Sequence, residues 1–146
     1  AMPRMVSSRL YCFSTISTIR RTLGLIVLLR WRSRSAKEIV RQTEEYIQQH
    51  LSDSELLVSG IAEEMFLNKD YLNRVFKKAH GISISQYLIQ ERMRLAALLL
   101  KEPKANVNQV AEKVGYQNYP YFASSFKRCY GCSPMQYKKE HGGDEE

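Results

Sequence analysis

Glycine, proline and cysteine are scarce in this 146-residue chain, which contains 7, 4 and 3 of them. It has no glycine-rich loop of the kind that cradles phosphates, so nucleotide-binding folds built on such loops are not expected. The odd number of cysteines argues against a disulfide-stapled secreted domain and favours a reducing compartment, which predicts a cytoplasmic protein. The longest purely apolar run is Leu25 to Leu29, whereas a membrane-spanning helix needs about 20 residues. We therefore expect a soluble globular protein.

Acidic residues are absent from the first quarter of the chain. Residues 1–35 contain seven arginines and no Asp or Glu, whereas residues 36–146 contain 15 basic and 15 acidic residues. The charge of this second part is uneven, because residues 68–81 have four basic residues against one acid, and residues 118–139 have four and none. Two separate basic segments on a neutral body indicate an anionic partner that is contacted at two places.

Apolar residues recur at helical spacing from residue 36 to residue 140, without convincing β-type alternation. The spacing predicts helices at about 36–51, 58–65, 69–79, 84–101, 107–114 and 119–130, and a short last helix after Ser133. Asn68 and Asn106 are predicted N-caps. Capping-box patterns are formed by Ser83 with Gln86 and by Ser133 with Gln136. The inward stripe of the 84–101 helix is predicted to contain Ile84, Tyr87, Leu88, Leu95, Leu98 and Leu99.

An internal repeat relates two parts of this helical region. A shift of 49 residues aligns Val58 with Val107 and Ala62 with Ala111, and a shift of 50 residues aligns the following segments. The later matches are Tyr71 with Tyr121, Phe76 with Phe126, Gly81 with Gly131 and Ser83 with Ser133. Each unit consists of a short helix, a tight turn and a second helix with a basic outward face, which is typical of a helix-turn-helix.

The repeat predicts an all-α fold with two helix-turn-helix units, at residues 36–83 and 103–140, joined by a linker helix at residues 84–102. Residues 1–35 form a separate basic segment in this division, and residues 141–146 form a tail. A linker of about 18 residues spans roughly 27 Å, which approaches the ~34 Å of one duplex turn. We therefore predict that a monomer reads two unlike half-sites about 10 bp apart.

Both units carry a family resemblance. The second resembles the second helix-turn-helix signature of the AraC/XylS family of bacterial transcription regulators, through Val107, Ala111, Val114, Gly115, Tyr116, Tyr121, Phe122, Phe126, Lys127, Gly131, Ser133, Pro134 and Tyr137. The first is similar through Ala62, Tyr71, Leu72, Arg74, Phe76, Lys77, Lys78 and Gly81. The resemblance covers about residues 39–139. It implies homeodomain-like units that bind specific double-stranded DNA, with RNA polymerase as a further partner.

The resemblance also implies that the N-terminal half of the second helix of each unit reads base edges in the major groove. In the first unit the outward positions of this half are Lys69, Asp70, Asn73 and Arg74. Arginine suits guanine and asparagine suits adenine, whereas the charge of Asp70 repels phosphate. Lys77 and Lys78 lie one turn later and are predicted to contact phosphates, which carry no sequence information. The alternative interpretation of these residues is a solvated helix face.

The second unit is predicted to be the weaker reader of bases. Ala123 and Ser124 stand where the first unit has Asn73 and Arg74, so the bidentate arginine contact is missing. We expect Asn118, Tyr119 and Ser124 to contact DNA mainly through phosphates, thymine methyl groups or water. Lys127 and Arg128 are predicted to contact the phosphate backbone.

Cys129 and Cys132 form a C-x-x-C pattern, which also occurs in redox and metal sites. The repeat places them at Ala79 and Ile82, so we interpret both as packing residues. The sequence contains no second pair and nothing that resembles a catalytic triad, a zinc site or paired catalytic carboxylates. We therefore expect no metal, no cofactor and no enzymatic activity.

Residues 16–32 have the pattern of a basic amphipathic helix, which binds a membrane surface, a partner helix or DNA phosphates. A disordered leader and the end of a truncated membrane span are alternatives of equal weight. The rival function is therefore a helical adaptor that binds a membrane or a partner protein through this segment. Because 35 N-terminal residues are too few for the ligand-binding domain that many AraC/XylS regulators carry, no small-molecule ligand is expected within this chain.

Overall fold

The computed structural model describes residues 34–142, and every regular element in this range is a helix. The helices are α1 (Ala36–Gln49), α2 (Val58–Glu64), α3 (Lys69–His80), α4 (Ile84–Leu100), α5 (Val107–Lys113), α6 (Tyr119–Tyr130) and α7 (Pro134–His141). The predicted all-α fold is thus confirmed, and the helix bounds agree with the predicted ones to within about two residues. The predictions for residues 16–32 and for the last four residues lie outside the described range. Within that range no helix is long and apolar enough to cross a membrane.

Side-chain caps begin the helices at the predicted positions. Asn68 Oδ1 accepts hydrogen bonds from the main-chain N–H groups of Asp70 (2.9 Å) and Tyr71 (3.2 Å). Asn106 caps α5 in the same way. Ser83 at the start of α4 and Ser133 at the start of α7 form complete capping boxes with glutamines at the third helical position. These caps satisfy main-chain N–H groups that the first turn of a helix leaves without a partner.

Two hydrophobic cores form, one in each unit, and α4 contributes to both. The first core packs α1, α2 and α3 around Leu72 and Phe76, and Ile84 and Leu88 of α4 complete it. The second core packs α5 and α6 against Met93 and Leu100 of α4. The pairs of helices that pack extensively against each other lie within one unit or include α4. The linker helix is therefore part of both cores.

The predicted inward stripe of α4 is wrong at Leu98, whose side chain is 59% exposed. At 3.6 residues per turn, the buried positions of the second half lie on a different side of the helix from Ile84 and Leu88. The residues buried there are Met93, Ala96, Ala97 and Leu100. A helix that serves two cores in succession has no single apolar stripe, which is why the periodicity failed here.

Candidate nucleic-acid interface

The outward face of α3 is polar and basic. Lys69, Asp70, Arg74, Lys77 and Lys78 are exposed, whereas Leu72 and Phe76 on the opposite face are fully buried. The Arg74 guanidinium lies 5.7 Å from the centre of the Tyr71 ring, within the range of a cation–π contact. The structure thus brings five of the six first-unit candidates together on one exposed face.

Asn73, the sixth candidate, has a contact that the sequence did not predict. It is half-buried, and its Oδ1 accepts a hydrogen bond of 3.1 Å from the main-chain N–H of Ile84, the first residue of α4. The amide therefore joins the recognition helix to the linker helix. Reading adenine requires the Oδ1 acceptor and the Nδ2 donor together, so the base contact of Asn73 stays a prediction.

The second unit lacks both partners of the hydrogen bond between Asn73 and Ile84. Ala123 stands in the place of Asn73, and Pro134 stands in the place of Ile84. Proline has no main-chain N–H, and it is favoured at the first position of a helix. The second unit therefore has no donor at this place that an asparagine would satisfy.

The outward face of α6 is less charged than that of α3. Ser124, Lys127 and Arg128 are exposed, and Tyr121 is 54% exposed. Sequence reasoning left Tyr121 out of the site, although the repeat aligned it with Tyr71, which lies beside Arg74. An exposed aromatic ring at this position is suited to an apolar contact with a thymine methyl group.

Three second-unit candidates already have contacts inside the protein. Asn118 is the N-cap of α6, and its Oδ1 accepts a hydrogen bond from the main-chain N–H of Tyr121 at 3.0 Å. Ser124 Oγ donates to the main-chain carbonyl of Tyr121 at 3.0 Å. Tyr119 is half-buried and packs against the second core. Their contacts with bases stay predictions, and these geometries agree with a weaker reader.

The four predicted phosphate contacts occupy equivalent places in the two units. Lys77 and Lys78 lie in the last turn of α3, and Lys127 and Arg128 lie in the last turn of α6. Cations in the last turn interact favourably with the helix dipole. Each recognition helix thus carries an exposed basic pair about one turn after its predicted base-reading positions.

The packing interpretation of the C-x-x-C pattern is wrong for Cys129, which is exposed. Its equivalent, Ala79, is exposed as well, so the repeat aligned two surface positions. Cys132 is half-buried, and both thiols are free. Among residues 34–142 there is no cluster of three or more side chains suited to hold a metal ion.

Comparison with known proteins assigns the family. A family model described as a helix-turn-helix domain matches residues 61–140. The arabinose operon regulatory protein of Escherichia coli is 31% identical over 99 residues, which are 68% of this chain and 34% of that protein. The chain therefore spans about a third of the length of this relative.

Two solved structures show the same fold. The C-terminal domain of AraT, a response regulator from Geobacillus stearothermophilus, is 38% identical, with a TM-score of 0.71 over 73% of this chain and 88% of that domain. The DNA-binding domain of the transcriptional factor AdpA, solved in complex with a target DNA, matches with a TM-score of 0.65. It covers 69% of this chain and 90% of that domain, and at 24% identity it shows the fold alone.

These matches identify a class of DNA-binding regulators rather than enzymes, and they favour that function over the helical adaptor. The chain belongs to the AraC/XylS family of helix-turn-helix transcription regulators, of which it carries the DNA-binding region.

Proposed function

We propose that this chain binds one asymmetric operator as a monomer, with α3 and α6 in two successive major grooves. Two units that share one linker helix each present an exposed recognition face, and this arrangement supports binding at two places on one duplex. That helix has 17 residues, which corresponds to about 26 Å. With the offset that the flanking units add, this length suits the ~34 Å between successive major grooves on one side of DNA.

The two faces differ, and this supports an asymmetric site. We assign base reading in the first unit to Arg74, with Lys69, Asp70 and Asn73 as further contacts. In the second unit we assign it to Tyr121 and the three weaker candidates, Asn118, Tyr119 and Ser124. Lys77, Lys78, Lys127 and Arg128 contact phosphates. Because the first unit has the bidentate arginine, we expect its half-site to be the more strictly specified.

A comparison of Arg74→Ala with Lys77→Ala tests this assignment, on operator duplexes selected from a random pool. Arg74→Ala is expected to cost about 1–3 kcal/mol on the selected site and to relax the preference at one base position. Lys77→Ala is expected to weaken all sequences alike and to reduce the slope of log K against log salt by about 0.9.

Arg41→Ala is the matched control for charge. Arg41 is an exposed arginine of α1 that pairs with Glu38 and Glu45, and its replacement should leave specific binding unchanged. Equal losses of specific and non-specific binding in Arg74→Ala would show that Arg74 does not read bases.

The proposal extends to the bound complex in the cell. RNA polymerase is the proposed partner of the protein on its operator, and the cytoplasm is the proposed compartment. The basic pattern of residues 16–32 supports an additional contact with DNA phosphates or with an anionic membrane surface. Binding of the full chain to duplexes and to anionic vesicles, compared with a variant in which Arg20, Arg21, Arg30 and Arg32 are glutamine, measures both contacts.

A further inference from the structure

A buried arginine lies where the two cores meet. Arg92 is in the middle of α4, between Leu88 of the first core and Met93 of the second. It is 8% exposed and is the one buried charged residue among residues 34–142. Burial lowers the pKa of its guanidinium from the usual value. A buried charge is costly unless its donors are satisfied, so the position calls for specific partners.

The partners of Arg92 on the first-unit side are main-chain carbonyls. Its Nε donates to the carbonyl oxygen of Leu51 at 3.1 Å, and its Nη2 donates to that of Asp53 at 2.5 Å. Both carbonyls belong to the segment that follows α1. The planar guanidinium presents its N–H groups in a fixed fork, so these two bonds fix the position of the segment against α4.

The turn of the second unit packs against the same guanidinium. Arg92 Cζ lies 5.7 Å from the centre of the Tyr116 ring. A Cβ atom added to Gly115 would lie 2.9 Å from the Leu51 carbonyl oxygen and 3.1 Å from Arg92 Cζ. Nearby, Gln117 Nε2 donates to Ser54 Oγ at 2.9 Å. Arg92 thus contacts the segment after α1 and the turn before α6 together.

The repeat indicates that glycine is needed at position 115 because of this packing, and not only because of the turn. Phe66 occupies the equivalent place in the first unit and also has a positive φ, of 54° against 82° for Gly115. A large side chain is therefore accepted in this turn of the first unit, whereas at Gly115 the Leu51 carbonyl oxygen and Arg92 leave no room for one. We call Arg92, Leu51, Asp53, Gly115 and Tyr116 the inter-unit latch.

We propose that Arg92 is a positioning residue that sets the spacing and relative orientation of the two recognition helices, and so selects the distance between half-sites. This inference rests on the proposed binding to two major grooves. When the two units are rigidly linked, the second recognition helix has a high effective concentration at its half-site at one spacing only. A loose link lowers this effective concentration and allows binding at neighbouring spacings. Extensive helix packing between the units runs through α4. The latch adds a direct contact between the segment after α1 and the turn before α6, beside the Gln117–Ser54 hydrogen bond.

The test measures spacing preference separately from binding to each half-site. The probes are duplexes with one selected half-site, with both at the native spacing, and with one or two base pairs inserted between them. For Arg92→Met we expect single half-site affinities within about twofold of the wild type. The preference for the native spacing should fall from about tenfold or more to less than about threefold.

Arg94→Met is the matched control, because Arg94 lies two residues along α4, is exposed and pairs with Glu91 at 2.6 Å. It should keep the wild-type spacing preference. Arg92→Lys keeps the charge without the planar fork and is measured alongside, so that a folded variant is available even if Arg92→Met does not fold. Thermal melting of each variant shows which proteins are folded.

The outcomes separate the inference from the function on which it rests. A reduced spacing preference in a folded Arg92 variant, with half-site binding retained, supports the latch. If half-site binding falls with the folded fraction while the spacing preference is unchanged, Arg92 is merely structural and the inference is overturned. A wild-type protein that is indifferent to spacing overturns the two-groove function itself.

Discussion

The main-chain N–H of Ile84 donates a hydrogen bond to Asn73 Oδ1. Because of this bond, Asn73→Ala should destabilise the wild-type protein but stabilise a variant that lacks the N–H. In Asn73→Ala the N–H at the start of α4 loses its partner. A lost hydrogen bond of this kind costs about 0.5–1.5 kcal/mol net, and more where the remaining donor is buried, so we take about 1.5 kcal/mol. Alanine is a better helix former than asparagine in the interior of α3, which stabilises the variant by about 0.6 kcal/mol. The expected net loss is about 1 kcal/mol.

The second unit supplies the matched background, Ile84→Pro. Ser83 before this position has an extended backbone (φ −71°, ψ 159°), as a residue before proline requires. Pro134 at the equivalent position is fully buried, so a proline is accepted there. Ile84→Pro removes the N–H that Asn73 satisfies, and Asn73→Ala should then stabilise the protein by about 0.6 kcal/mol.

Thermal and urea unfolding of the four proteins in this double-mutant cycle measures the coupling, which should be about 1.5 kcal/mol. For a folded region of about 110 residues, which here contains both units, a loss of 1 kcal/mol lowers Tm by about 4 °C. Equal effects of Asn73→Ala in both backgrounds would refute the structural role of this bond. Unchanged stability together with a lost adenine preference would instead show that Asn73 acts as a base reader.

Three further predictions concern Glu64, two glycines and the pair of cysteines. Burial raises the pKa of Glu64 above 4.5, because the ionised carboxylate is less favourable in the folded protein than in the unfolded one. The folded protein therefore loses stability as the pH rises through the raised pKa. Glu64→Gln should raise Tm at pH 7 and leave it unchanged below pH 4.5. Gly115→Ala should destabilise the fold by about 2 kcal/mol or more, because φ is 82° and a main-chain oxygen lies 2.9 Å from the new Cβ, whereas Gly60→Ala in α2, with open space around it, should stabilise it by about 0.5–1 kcal/mol in the same melts. Cys129→Ala combined with Cys132→Ile should leave the affinity for DNA unchanged and insensitive to oxidant; stoichiometric zinc in the purified protein would contradict this.

Local features of the fold could be predicted from the sequence, since their causes lie within a few residues. Asn68 and Ser83 bond to N–H groups two or three positions away, so both caps follow from local pattern. The repeat doubled this information, because each turn and basic helix was seen twice. The division into an all-α fold with two similar units followed from those signals.

Features that depend on distant segments were not predictable in this way. Arg92 is buried because residues 51–53 and 115–116 converge on it, and a long charged side chain is ordinarily expected at the surface. Leu98 is exposed because α4 serves two cores in succession. The contact of Asn73 with the next helix likewise required the relative placement of α3 and α4, which helical periodicity does not contain.

In the proposed complex, one protein molecule reads two unlike half-sites in successive major grooves. Hydroxyl-radical footprinting of the wild-type protein on its selected operator, with the stoichiometry measured on the same duplex, tests it most directly. We predict one molecule per site, protection on one side of the duplex over about two turns, and loss of high affinity when about half a turn is inserted between the half-sites. A palindromic site that requires two molecules would show that the protein does not bind in this way.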